Sequence, residues 1–474
     1  MSSPSRAKTL IDHAAELARI LLKTSQPPRV VTSTYLHQRK RMRTDEREFV
    51  SAIAFHALRN WRFIRASAFV DRGPVPLRPS PEESRVIISA GLLLSIQNFP
   101  PVFTLPAHSQ LDSDIVDNAV REILFGWDSA AAERILRQAT EIDAEATRML
   151  EYGDETALPF DEEIDVRQAI ALRWSLPDWV LRCWREQQRP CGVKDIARAA
   201  ATLCSAAPLV LRVNTLRADR ASLIDEMDAA GYTVLAHPLL AHAIILKERV
   251  ALLDSHWYRD GAFEVQDAGS QLIGLACAVE PGWQVLDACA GGGGKAMQLA
   301  NHMEDNGSIF AQDIERRKLR GLEQRARRLS LRSIRTGITA PGTESSMFDF
   351  VLVDAPCSGF GTVRRNPALK WRMREATVER LAVSQEKILA RNARSVRPGG
   401  SLLYATCSLL PRENHIVMNR FLEAHPEFVP QSITSPLAPE LRHALSHSPH
   451  AHDLLLFPDV LDSDGFFMAR FGRT

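Results

Sequence analysis

The chain has 474 residues, 45% of them hydrophobic and 24% charged, values ordinary for a soluble globular protein, with room for two to three domains of about 150 residues. That excludes a largely disordered chain, a collagen-like fibre and a disulfide-dense miniature, and no apolar run reaches the roughly 20 residues that cross a bilayer. Net charge is +1, yet residues 1–80 hold 15 basic and 6 acidic side chains while residues 81–165 hold 5 and 18. A basic face beside an acidic one would suit a phosphate backbone, although two solvated helix faces look the same on charge alone.

From Thr9 to about Leu150 the pattern is helical. Leu10, Ala14, Leu17, Ile20 and Leu21 recur at three- and four-residue spacing, one face of an amphipathic helix. Thr44-Asp45-Glu46-Arg47 offers a capping-box-like start before Phe49, Val50, Ile53 and Leu58. Further helices are expected from Pro79 to Glu83 onward and from Ser129 to Leu150, so residues 1–150 form an all-α domain. Residues 151–207 read as an acidic linker, broken at Gly153 and Pro159, followed by short helices through Trp174, Trp179 and Trp184. Residues 208–270 form a small α+β module, with strands at Leu209–Val213 and Ile244–Leu246 around a helix from Ala221 to Ala230. Residues 271–474 alternate strand, loop and helix. Strands are expected at Gln284–Asp287, Ser308–Asp313, Phe348–Asp354 and Gly400–Ala405. Continuous apolar strands alternating with helices imply a parallel sheet covered on both faces, an α/β Rossmann-like domain.

Ligands of such sheets sit beyond the carboxyl ends of the strands. The run Cys289, Ala290, Gly291, Gly292, Gly293, Gly294 and Lys295 lies at that end of the first strand. Its glycines let the backbone approach a ligand closely. Asp313 ends the next strand, where a carboxylate can accept both hydroxyls of a ribose. Ala296 follows Lys295, so the Mg²⁺-binding hydroxyl of a P-loop is missing. An adenosine-containing ligand is favoured over a glycine turn that serves packing alone.

Seven cysteines without regular spacing are no disulfide framework, and the N-terminus carries no apolar signal core, so free thiols in a reducing, cytoplasmic setting are expected. Cys183, Cys191, Cys204 and Cys277 read as small buried hydrophobes, and Cys289 as a residue packed in the glycine loop. Cys357 and Cys407 differ, because each follows a strand among small residues and should emerge on the rim of the glycine loop. With no C-x-x-C pair, metal binding is set aside, and His443 and His447, in a Pro- and Ser-rich stretch, are read as solvent-facing polar side chains. Two thiols and the Asp354 carboxylate beside an adenosine site suggest covalent chemistry in which one sulfur attacks and another group handles a proton.

With these residues assembled, the chain from about Pro208 onward resembles the S-adenosylmethionine-dependent RNA 5-methylcytosine methyltransferases of the RsmB/NOP/NSUN family, the RsmB (Fmu) type in particular. The resemblance rests on Leu211-Arg212-Val213-Asn214, Val265 to Ser270, the Asp287–Lys295 run, Asp354-Ala355-Pro356-Cys357-Ser358-Gly359, Tyr404 to Ser408, Glu413-Asn414 and Asp464 to Phe467. More weakly, Asp45 to Phe49 and Leu58-Arg59 are similar to the NusB-like RNA-binding domain of that type. Departures are Gly292 where proline is usual, Ala296 where threonine is common, and, ahead of the third strand, a stretch from Ser333 to Ser346 whose only acidic residue is Glu344. What the resemblance implies is an enzyme using S-adenosyl-L-methionine on RNA, ribosomal RNA foremost. It implies that Cys407 attacks C6 of cytosine, that Cys357 assists breakdown of the adduct, and that Asp354 hydrogen-bonds the cofactor or the cytosine edge. Arg212 resembles an RNA-contacting position, with a structural salt bridge as the equal alternative. Lys295, Arg364, Arg365 and Lys370 are candidates to hold phosphates, and the stretch Arg316 to Arg335, with 9 basic residues and 1 acidic, either extends that surface or is a solvated helix face. A monomer without metal or membrane attachment is expected.

Two other readings compete. A non-catalytic RNA-binding or ribosome-assembly factor could keep the fold, against which stand the intact Cys357 and Cys407. A nicotinamide-dependent oxidoreductase would use the glycine loop and Asp313, but gives paired thiols no role and lacks G-x-G-x-x-G.

Overall fold

Apolar side chains at helical spacing build the first of two bodies. The computed structural model describes residues 4–24, 26–69, 79–96, 113–127, 130–152, 171–185, 193–247, 252–339, 347–445 and 451–474. Contacts divide the chain into Met1–Ala206 with Val363–Arg374, and Ala207–Thr362 with Glu375–Thr474. In the first body, Leu10, Ala14, Leu17 and Leu21 of helix Pro4–Lys23 meet Phe49, Val50 and Ile53 of helix Thr44–Arg59 in one core. The latter helix starts as its sequence expects: the Glu46 carboxylate turns back to accept the Arg43 N–H at 2.9 Å, and also pairs with Arg6 at 2.6 Å. Helices Asp178–Arg185 and Val193–Cys204, expected to belong to a connector, lie in this helical body. The acidic stretch around Gly153 and Pro159 lies outside the described residues.

In the second body, β1 (Leu209–Val213), β2 (Val234–Ala236), β3 (Ala243–Leu246) and β4 (Phe263–Val265) form an antiparallel sheet in the order β2-β3-β1-β4. Leu223 and Met227 of helix Arg220–Ala229 close its core against Leu211, Val213, Ile244 and Phe263. The larger sheet holds β5 (Gln284–Asp287), β6 (Ser308–Gln312), β7 (Ile334–Gly337), β8 (Phe348–Asp354), β9 (Val396–Thr406), β10 (Phe428–Pro430), β11 (Asp453–Leu456) and β12 (Phe466–Arg473). Its order is β10-β12-β9-β8-β5-β6-β7, with β11 on β12. β9, β8, β5, β6 and β7 run parallel, but β12 is antiparallel to β9 and carries β10 and β11 antiparallel to itself. The sheet is therefore mixed, a correction to the parallel sheet expected. Sequence order reverses between β5 and β8, and the crevice at that switch point is where such sheets bind ligands.

Candidate active site

The loop after β5 turns sharply into helix Gly294–His302. Ala290 N–H donates to Gln312 O at 2.8 Å and Gly293 N–H to Ala290 O at 2.8 Å. Gly293 has φ +81°, and a Cβ there would run into the Leu322 side chain, so only glycine closes this turn. Asp313, next after β6, accepts Gly291 N–H at 2.9 Å and Glu315 N–H at 2.8 Å, shaping the loop it faces. Ile314 beside it is 85% exposed, and Ile338, following the register partner β7, is 39% exposed. Sequence reasoning missed this pair of apolar walls at adjacent strand ends. Glu344 lies outside the described residues.

Asp287 at the end of β5 is buried, and among the described residues only the nearby Cys289 backbone N–H, short of full hydrogen-bond geometry, approaches its carboxylate oxygens. Burial, followed by the Asp354 charge, pushes its pKa up to about 7. A buried acidic side chain without a full hydrogen bond, beneath a glycine turn, fits a cationic ligand, and S-adenosylmethionine carries both a sulfonium and an ammonium. The residues present fit that group: Asp287 would meet its positive charge, Gly291–Gly294 would line its path, Asp313 would accept a ribose, and Ile314 and Ile338 would flank a base. Cys289 is half-buried, and burial pushes its thiol well up, as suits a packed residue.

The two strand-end thiols converge. Cys357 Sγ and Cys407 Sγ lie 3.2 Å apart, on the loops leaving β8 and β9. The hydrogen bond to Cys407, burial, and the Cys407 charge together hold the Cys357 thiol well above the ordinary thiol range, so Cys357 holds its proton tightly. Lys295 Nζ donates to Asp354 Oδ2 at 2.7 Å. Burial works against the Lys295 ammonium, but the Asp354 carboxylate and the Cys407 sulfur outweigh it and raise its pKa. A fixed cation and a second thiol therefore lie beside the Cys407 sulfur.

What holds those loops is a carboxylate the sequence reading quoted without giving it a role. Glu413 is 0% exposed. It accepts Ser358 N–H at 2.7 Å, the hydroxyls of Ser358 and Ser408 at 2.5 Å each, and Gln385 Nε2–H at 3.0 Å. Ser358 and Ser408 each follow one of the two cysteines. Asn414 extends the clamp, accepting from Thr406 Oγ1 at 2.7 Å and donating to Ser408 O at 2.9 Å.

The RNA-contact candidates fare differently. Arg364 and Lys370 are each 1% exposed and belong to the helical body, which corrects their expected place on a phosphate-binding surface. Arg364 donates to Ser205 Oγ and Ala206 O, and Lys370 to Arg59 O. Arg365, in the same body, is half-buried. Arg212 is buried in a polar network, donating to Gln266 Oε1 at 2.6 Å and Asn301 Oδ1 at 2.7 Å, and is likewise corrected from RNA contact to a tie between β1 and helix Gly294–His302. Lys295 is taken up by Asp354 rather than left for phosphate. A cavity of about 140 Å³ lined by Arg212, Leu240, Gln298 and His302 lies beside that tie. Cys183, Cys204 and Cys277 are buried as expected, and Cys191 and His447 lie outside the described residues. Among the described residues no cluster of His, Cys, Asp and Glu could hold a metal ion, and no helix is long and apolar enough to cross a membrane.

This geometry has counterparts. Residues 275–472 match the family described as 16S rRNA methyltransferase RsmB/F, and residues 176–252 match its ferredoxin-like domain. A probable ribosomal RNA small subunit methyltransferase B of Bacillus subtilis is 33% identical over 317 residues, 65% of this chain and 69% of that protein. A ribosomal RNA small subunit methyltransferase B of Xanthomonas campestris is 30% identical over 436 residues, 90% of this chain and 88% of that one. Among solved structures, a methyltransferase homolog protein from Pyrococcus horikoshii is 25% identical with a TM-score of 0.52, over 64% of this chain and 98% of its own. The fold of PH0851 is similar over 98% of both chains, with a TM-score of 0.68 at 21% identity. With the glycine turn, the paired thiols and these relatives in agreement, the chain belongs to the RsmB/F family of 16S rRNA methyltransferases.

Proposed function

We propose that this chain methylates C5 of a cytosine in ribosomal RNA through a covalent adduct between Cys407 and C6. Membership in the family makes it an S-adenosylmethionine-dependent RNA methyltransferase; the residue roles are the part proposed. One observation carries them: two sulfurs 3.2 Å apart at the ends of β8 and β9, beside Lys295 and the glycine turn. The cofactor, when bound, supplies a methyl group on a sulfonium leaving group.

C5 of cytosine is a weak nucleophile. Bonding of the Cys407 sulfur to C6 makes C5 enamine-like and able to accept the methyl group. Asp354, oriented by Lys295, accepts a hydrogen bond from the cytosine amino group, and the Lys295 ammonium beside it offsets the negative charge that moves into the ring. After transfer the C5 proton must leave before the C6–S bond breaks, and Cys357 takes it. The change of role has a physical cause, because the largest influence holding the Cys357 proton is its hydrogen bond to Cys407. Once that sulfur is bonded to carbon that influence is gone while burial remains, and Cys357 passes its own proton to solvent before it takes the one from C5. The target base leaves its stack, or is single-stranded already, to reach this rim. Residues 1–150 are read as a NusB-like RNA-binding domain and the β1–β4 module as a second RNA-binding element, in a cytoplasmic monomer.

Substitution separates the two sulfurs. Cys357→Ala is expected to accumulate a protein–RNA adduct that survives a denaturing gel, and Cys407→Ala to give no adduct and no methylation. The opposite pattern would exchange the roles, and adducts in neither would end the covalent scheme.

A further inference from the structure

Helix Arg316–Arg328 begins three residues after Asp313, at the cofactor end of β6, and packs on the sheet through Leu319, Leu322 and Ala326. Arg325 and Arg328 turn inward to the buried Glu264. The rest of its charge faces solvent. Arg316, Arg317, Arg320 and Arg327 are exposed on the helix, and Arg332 and Arg335 are exposed just beyond it. Of the two nearby carboxylates, Glu315 pairs with Lys318 at 2.5 Å and Glu323 accepts the Thr336 hydroxyl. None of those six exposed arginines has an ion-pair partner among the described residues.

Their spacing is ordered. Positions 316, 320 and 327 fall within about 40° of one another at 100° per residue, a stripe about 16 Å long at 1.5 Å per residue. Like charges four residues apart destabilise a helix, so an unrelieved arginine stripe is a local conflict unless a polyanion relieves it. The track also continues past the helix. Exposed Arg217, in the loop after β1, donates to Ser330 Oγ at 2.7 Å, which places the small module's positive charge at the far end of the stripe. All six residues are arginine, whose planar guanidinium suits bidentate phosphate contact.

We infer that this stripe is a docking track for the phosphate backbone of the substrate RNA, leading from the β1–β4 module to the cofactor rim. The inference rests on the proposed RNA substrate but not on which cysteine attacks. It assigns phosphate contact to Arg316, Arg320 and Arg327, in place of the buried Arg364 and Lys370.

The test is the full-length variant R316Q/R320Q/R327Q, with circular dichroism and thermal melting to establish that it folds. Binding of a 16S ribosomal RNA transcript is measured over a salt series. Each single-stranded phosphate contact contributes about −0.7 to the slope of log K against log salt, so loss of three contacts should flatten the slope by about 2. The KM for the transcript should rise on the order of tenfold, with kcat at saturation changed far less. A folded variant with the parent's slope and KM would overturn the track while leaving the enzyme reading intact. A parent protein that binds and methylates no RNA would overturn both.

Discussion

Asp287 sits at the end of β5 with neither oxygen in a full hydrogen bond and its pKa pushed up to about 7, chiefly by burial. A carboxylic acid of ordinary pKa near 4 that is held neutral in the folded chain makes the fold lose stability as pH rises from about 4 through 7, because there the unfolded chain binds fewer protons. A cationic cofactor reverses the preference by favouring the ionised form. Binding of S-adenosylmethionine at pH 6 should therefore release a proton, and affinity should rise with pH up to about 7. Calorimetry in two buffers of different ionisation heat reads the proton directly. Asp287→Asn should abolish both the release and the slope, and a parent protein that releases none would remove Asp287 from the cofactor site. Glu413 presents the opposite case, a buried carboxylate with every neighbour engaged. Glu413→Ala would strand the Ser358, Ser408 and Gln385 donors without water, costing on the order of 3 kcal/mol in urea unfolding. It should also lower the rate at which a mild oxidant such as diamide links Cys357 to Cys407, since the loops are no longer clamped. An unchanged linking rate would show that the loops hold their spacing without it.

At the scale of elements, what the sequence made legible was whatever local pattern decides. Strands β5, β6 and β8 and helix Arg316–Arg328 are called up by apolar runs and amphipathic spacing within a few residues of where they stand. β7, with Arg335, Thr336 and Gly337 in four positions, offers no such run, and β10 is three residues long. β12 reads as apolar, but its direction depends on a partner more than sixty residues away, Phe467 opposite Thr406. Where it begins is marked by a close backbone approach. Gly361 N–H donates to Cys407 O at 2.9 Å and Gly465 N–H to Gly361 O at 2.8 Å, and a Cβ on Gly361 would occupy the place of Gly465 O. The paired thiols were legible because both follow strands; their clamp was not, since Glu413 meets Ser358 only across 55 residues. The join between the small sheet and helix Arg316–Arg328 is of the same long-range kind. Glu264 takes Arg325 and Arg328, and Arg325 also donates to Gly292 O at 2.6 Å in the glycine turn. Glu264→Ala would leave two inward-facing guanidinium groups unpaired, with an expected loss of about 3–5 kcal/mol. Hydrogen exchange should then rise in β4 and in the glycine turn together. Protection lost in β4 alone would mean that Arg325 does not link them.

Over the whole molecule, the chain leaves the catalytic body at Val363 and returns to it at Glu375, and the residues between complete the helical body. No periodicity could announce this. Arg364 and Lys370 look like solvent-facing cations in sequence, and it is the Ser205 hydroxyl and the Ala206 carbonyl for the first, and the Arg59 carbonyl for the second, that receive them when buried. Trp371 belongs to the same device, packed in the helical core with its indole N–H donating to Leu58 O at 2.8 Å. Trp371→Ala in the full chain removes a buried aromatic and strands that carbonyl, a loss of about 3–5 kcal/mol. Because every partner named for Trp371 lies in the helical body, the loss should fall there, while Cys357, Cys407 and the glycine turn keep their own contacts. Scanning calorimetry should show one transition lowered by several degrees and another that is unmoved. Added S-adenosylmethionine should raise only the unmoved one, since a ligand stabilises the body that binds it. A single transition shifted as a whole by both changes would mean that the two bodies unfold as one.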